Sequence, residues 1–138
     1  MATDLSLDVR RAIISHLRGY APLVALVSAQ RIYGEQPPAD PDWPFIRYGY
    51  ALIEPYDAQG YEGSAQAITI HAFANGPYTD AVQRIAAQVV EAMKSWEPPT
   101  GTGIVACEWT GTNVLIDDPS ASASKYHAAI NFSVTVAG

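Results

Sequence analysis

Apolar residues near the start of the chain recur every fourth place. Leu5, Val9, Ile13 and Leu17 form one stripe with Ala12 beside it, which predicts a helix over Asp4–Arg18. Asp4 and Asp8 near its start and Arg18 near its end suit the helix dipole, and Gly19 can end it. Pro22 fits the first turn of a short second helix through Leu23, Leu26 and Val27. The pattern then becomes extended. A short strand is expected at Arg31–Tyr33, followed by a loop over Gly34–Asp42, where Pro37, Pro38 and Pro41 rule out regular structure. Pro44–Glu54, rich in aromatic and β-branched residues, predicts a strand closed by Pro55. A second loop is expected at Tyr56–Ser64. Beyond it, Gln66–Ala74 predicts a strand with Ile68, Ile70 and Ala72 on one face and Thr69, His71 and Phe73 on the other.

After Asn75-Gly76-Pro77 the spacing returns to three and four. Val82, Ile85, Ala86, Val89, Met93 and Trp96 define a helix, with Thr79 as its N-cap and Pro98-Pro99 as its stop. Strands follow at Ile104–Trp109 and Asn113–Ile116, parted by Thr110-Gly111-Thr112 as either a turn or a bulge. A loop is expected over Asp117–Ser124. The last strand alternates cleanly, with Tyr126, Ala128, Ile130, Phe132, Val134 and Val136 on one side, which means a sheet covered on one face. Grouped strands flanked by helices predict an α+β fold. We expect a mainly antiparallel sheet with helices packed on one face, in a single domain over residues 1–138.

Composition sharpens this picture in two ways. Charged residues are only 16% of the chain, below the ~25% usual for soluble domains, which leaves surface for partners. The net charge of −6 argues against gripping nucleic acid, because phosphate binding needs clustered Lys and Arg. The N-terminus shows no signal-peptide pattern and no apolar run approaches spanning length, so a soluble cytoplasmic product without a membrane partner is expected.

Candidate chemistry is sparse. Cys107 is the lone cysteine, so it has no intrachain disulfide partner, and the adjacent Glu108 discourages a thiolate. A buried structural cysteine is the better account. His71 and His127 can share a sheet face, but no local pair supports them as metal ligands, and polar strand residues are the preferred reading. Asp117-Asp118 and the Asp40/Asp42 pair read as turn chemistry. The glycines of GTG at 101–103 open no helix, so they are not a phosphate loop. Tyr48, Tyr50, Tyr56 and Tyr61 have acidic rather than basic neighbours, unlike a base-stacking platform. No active site, metal site or cofactor is expected.

Taken in order, the segments LDVRRAIISHLRG, APLVALV, RIYGEQPPADPDWPFIRYG, AITIHAFANGPYTDAVQRIAAQVVEAM and YHAAINFSVTV resemble the tail terminator (tail completion) family of long-tailed phages and gene transfer agents. The resemblance spans Leu5 to Val136. Its most specific part is the order short helix, Arg-Ile-Tyr, proline-rich loop, Pro-Phe-Ile; the stretch from Trp96 to Pro119 matches least. It implies a non-enzymatic structural virion protein at the head-proximal end of the tail, assembled in the host cytoplasm. That protein would be a homo-oligomer, a hexameric ring that ends tail-tube polymerisation, with the tail tube protein and a head-completion (neck) protein as partners. DNA would pass through the ring without specific binding. Two other readings stay open, another neck ring component such as a head-closure protein and a small α+β ligand-binding module.

Candidate interface or channel residues lie in the two expected loops. Glu35, Asp40 and Asp42 fall in the first, and Tyr56, Asp57, Tyr61 and Glu62 in the second. Loops on a rigid sheet are where such contacts are usually made, and tyrosine supplies apolar contact with a polar tip.

Overall fold

A computed structural model describes residues 6–34, 37–39, 41–58, 61–75, 79–99, 103–118 and 125–137. The elements run α1 (Ser6–Gly19), α2 (Ala21–Val24), a 3-10 turn (Ala29–Arg31), β1 (Ile32–Tyr33), β2 (Phe45–Ala58), β3 (Tyr61–Asn75), α3 (Asp80–Lys94), β4 (Ile104–Asp118) and β5 (Lys125–Ala137). The five strands form one sheet in the order β1-β2-β3-β5-β4. Only β1 pairs parallel; every other pairing is antiparallel. This is the expected α+β fold. The predicted Arg31–Tyr33 strand shrinks to two residues because the chain enters it through the 3-10 turn.

The helices cover one face. The α3 helix packs on β3, β5 and β4, and α1 on β1 and β2. The predicted stripes meet there: Val9, Ile13 and Leu17 from α1, Val82, Ile85, Val89 and Met93 from α3, and Ile68, Ile70 and Ala72 from β3 are all buried. From β5, the six alternating residues Tyr126 to Val136 are buried too. Trp96, beyond the end of α3, is only partly buried against this core. Thr79 occupies the N-cap position without a capping side-chain bond; its hydroxyl instead donates to Gln83 Oε1 at 3.3 Å.

Side-chain contacts tie α1 to the sheet and to α3. Arg18 Nε and Nη2 both donate to the Ile32 carbonyl, at 3.0 and 2.6 Å, tying α1 to β1. His16 Nε2 lies 2.7 Å from the Ala92 carbonyl, one of the terminal acceptors that α3 leaves unpaired, and its ring stacks on Trp96 at 5.8 Å. Among the described residues no helix is long and apolar enough to cross a membrane.

Two expected loops are strand wherever their residues are described, residues 59–60 and 119–124 lying outside them. Residues 56–58 and 61–64 are strand at the end of β2 and the start of β3, with Pro55 paired to Ser64, Tyr56 to Gly63, Asp57 to Glu62 and Ala58 to Tyr61. Pro55 is tolerated because β2 lies at the sheet edge beyond the two residues that β1 covers, where a missing N–H costs little. Likewise Asp117 and Asp118 end β4 rather than open a loop. Thr110-Gly111-Thr112 is a bulge within one continuous strand, with Gly111 at φ +146°, a conformation open to glycine.

Candidate functional site

The face of the sheet opposite the helices carries a ladder of rings. Phe45, Phe73 and His127 are register partners on β2, β3 and β5. Phe73 stacks on Phe45 at 4.6 Å and on His127 at 4.4 Å, nearly parallel in both cases. Trp43 stands edge-on to both phenylalanines, Arg47 lies 5.7 Å from the Phe73 ring centre, and Lys125 lies 5.5 Å from that of Trp43.

His71 sits diagonally from His127, and the structure brings the two together. Nδ1 of His71 and Nε2 of His127 lie 2.6 Å apart, so one ring donates to the other. Burial first, then Arg47, then His127 push the His71 pKa down to about 4. Gly49 makes room for this ring: a Cβ there would lie 2.6 Å from His71 Nε2 and 2.8 Å from the Thr69 carbonyl oxygen. The nitrogens that face each other are thus engaged with one another. Among the described residues no group of three His, Cys, Asp or Glu is placed to hold a metal ion.

Cys107 is partly buried on β4, facing the helices against the core, rather than fully buried as expected. Burial, and then the Glu108 carboxylate, push its thiol up to about 11, so it stays protonated and is a poor nucleophile near neutral pH. Among the described residues three buried polar side chains lack partners: Gln66, wholly buried, through both amide atoms, and Ser64 and Tyr48 through their hydroxyls.

The expected contact residues separate into three groups. Glu35 and Asp40 lie outside the described residues. Asp42 is exposed and approaches Arg31 at 3.9 Å. Tyr56, Asp57, Tyr61 and Glu62 share the end of the β2–β3 hairpin, which reaches past the last β3–β5 pair, Gly63 with Ala137. They are brought together, but on paired strands rather than on a loop.

Two surface features went unread in the sequence. Arg10, Arg11, Ile14, Ser15, Arg18 and Tyr33 line a hollow of about 510 Å³ where α1 meets β1. On the far side, Ala86, Ala87 and Val90 of α3 face Trp109 and Val114 of β4 across an apolar groove of about 380 Å³. A signal for the second existed: Trp109 and Val114 are large apolar residues on the strand that follows α3.

Comparisons with known proteins agree with this architecture. The family model described as Tail completion protein gp17 matches residues 11–137. A chain in the solved structure "Virion of native gene transfer agent (GTA) particle" superposes with a TM-score of 0.78 at 17% identity, covering 94% of this chain and 95% of that one. No curated protein matches. With the family model spanning nearly all of the sequence, the chain belongs to the tail completion protein gp17 family.

Proposed function

We propose that the chain is a structural, non-enzymatic subunit of a tailed virion or gene transfer agent particle. Six copies form a ring that closes the head-proximal end of the tail tube and offers a surface to a head-completion protein. The match to the tail completion family over residues 11–137 carries this reading. The shared fold with a chain of a gene transfer agent virion supports it, as does a described surface whose histidines and cysteine are engaged or protonated rather than poised for chemistry. The overall negative charge suits a channel wall that lets DNA slide, since like charge cannot replace its counterions.

The projecting hairpin end, with Tyr56, Asp57, Tyr61 and Glu62, is the segment we assign to contact with the tube or the channel. Negative-stain imaging of particles assembled without the protein tests the whole reading, and overlong or headless tails are the expected result. Normal tails joined to heads would refute it. Replacing residues 57–62 by Asn-Gly closes the hairpin directly between the paired Tyr56 and Gly63. That variant should fold yet give the same defective tails; normal tails would remove the hairpin end from the function.

A further inference from the structure

Positive charge gathers in the hollow between α1 and β1. Arg10, Arg11 and Arg18, three of the chain's eight basic residues, line it in a protein of net charge −6. Arg11, Ser15 and Arg18 follow one another along α1 at spacings of four and three, so they share one helix face. That face flanks the buried stripe of Val9, Ile13 and Leu17 and meets Tyr33 and Gly34 across the hollow. Ile14, only 5% exposed, adds an apolar patch to the lining. Among the described residues no acid lines the hollow. Asp8 stands one turn before Arg11, outside it, and Glu35, next after Gly34, lies outside the described residues.

Every polar side chain in this lining can donate. The guanidiniums carry no acceptor, and the hydroxyls of Ser15 and Tyr33 donate as well. Arg18 is held in place, because Nε and Nη2 bind the Ile32 carbonyl while Nη1 takes part in neither bond. A guanidinium fixed in this way loses little freedom when it meets a ligand. Arg11 is exposed and has no partner among the described residues. Seven residues of helix set Arg11 and Arg18 about 10 Å apart along the axis. Carboxylates three residues apart on a polyproline-type extended segment are separated by about 9 Å and lie on one side of it. The two spacings match.

We propose that this hollow docks an extended acidic segment of another protein, with one carboxylate on Arg11, a second on Arg18 and Ser15 between them. Guanidinium and carboxylate match in shape as well as charge, which makes such pairs stronger than neutral hydrogen bonds. The observations favour a short segment over DNA. A hollow of about 510 Å³ accepts inserted side chains, whereas a long polyanion also meets the negative charge of the rest of the chain. The proposal rests on the reading of the chain as a virion subunit, which supplies protein neighbours other than its own copies.

The probe is a short synthetic peptide of Pro-Pro-Glu repeats, titrated into the full chain at low salt and followed through the arginine Nε–H signals in NMR. The signals of Arg11 and Arg18 should move, and binding should weaken as salt rises. Arg11→Glu should bind at least tenfold more weakly with an unchanged melting temperature, because the position is exposed. Arg11→Gln, which removes the charge without reversing it, replaces that variant if it unfolds. Arg84→Glu, at an exposed position on α3, should bind like the parent, and a Pro-Pro-Gln peptide should not bind. A parent that ignores the Pro-Pro-Glu peptide would overturn the proposal. So would an equal loss in Arg84→Glu, or inorganic phosphate or duplex DNA taking the hollow at lower concentration than the peptide. Self-association of the parent that Arg11→Glu abolishes would make the ligand a second copy and overturn it too. Tail capping separates the two readings. Peptide binding by a protein whose loss leaves tails normal would remove the virion role alone, whereas a protein that caps tails and ignores the peptide would lose only the docking site.

Discussion

Along β3 and β5 the residues pointing toward the helices and those pointing away alternate one by one, and the two sets shed water by different means. Toward the helices stand Ile68, Ile70, Ile130, Phe132 and Val134, each almost wholly buried under a second layer. Away from them stand His71, Phe73, His127 and Asn131, only partly buried among the described residues. Here rings cover one another: Phe45, Phe73 and His127 stack across three strands, while Thr69 Oγ1 donates to Asn131 Oδ1 at 2.7 Å. A sheet face without a second layer can thus be ordered by cross-strand pairs. Aromatic pairs add about 0.5–1.5 kcal/mol beyond area burial. The covered face depends on shape and dryness, the uncovered face on register.

A charge on the covered side is the most disruptive change. Ile85→Asp places an unpaired carboxylate between α3 and the sheet and should unfold the subunit, at a cost above ~4 kcal/mol. Gln83→Asp, at an exposed position on the same helix, should leave the thermal transition nearly unchanged. Equal melting temperatures for the two would mean that α3 presents a different face.

On the uncovered side, the register-dependent packing has a steric test. Gly49→Ala drives a methyl group into the His71 ring and the Thr69 carbonyl, and the backbone oxygen cannot swing away. A loss of about 1–3 kcal/mol in denaturant unfolding is expected, typical of overpacking. An unchanged midpoint would show that the ring does not hold this position.

The smallest expected effect concerns protons. The folded-state pKa of His71 lies near 4, below its ordinary 6.5, so the unfolded chain binds the proton more readily between those values. Its contribution to stability is complete above about pH 6.5 and is lost as pH falls toward 4. His71→Gln should therefore flatten the fall in melting temperature across that window relative to the parent. Parallel curves for the two proteins would contradict a neutral, half-buried ring.

Which face each residue occupies was legible wherever periodicity ran unbroken. The stripes of α1, α3, β3 and β5 stand as their spacing implied, because a period of 3.6 or 2 is a local property, except that Leu5 lies outside the described residues and Trp96 falls beyond α3, only partly buried. The membership of His71 and His127 in one face was legible for the same reason. Their bond was not, since it depends on Phe73 pairing with His127 across 54 residues of chain, and register is not written in either strand alone. Turn signals misled at Tyr56–Ser64. Pro55, Gly60 and Gly63 each weaken a strand, but β2 is an edge where proline is admitted, and pairing across the hairpin outweighed composition.

The two antiparallel hairpins, β2–β3 and β4–β5, have a consequence for how the chain reaches this structure. Each hairpin closes through nearby residues, whereas the β3–β5 seam joins residues 50 apart at Asn75 and Lys125 and 74 apart at Gly63 and Ala137. Loop closure over such lengths must be completed before the seam's contacts reward it, so pairing of β3 with β5 is the expected slow step of folding. Until the seam closes, β3 and β5 are edges themselves, and a newly made chain exposes four sticky strand margins rather than two. Synthesis order sets the length of that exposure: β3 must wait for α3, β4 and finally β5, the last element to be made.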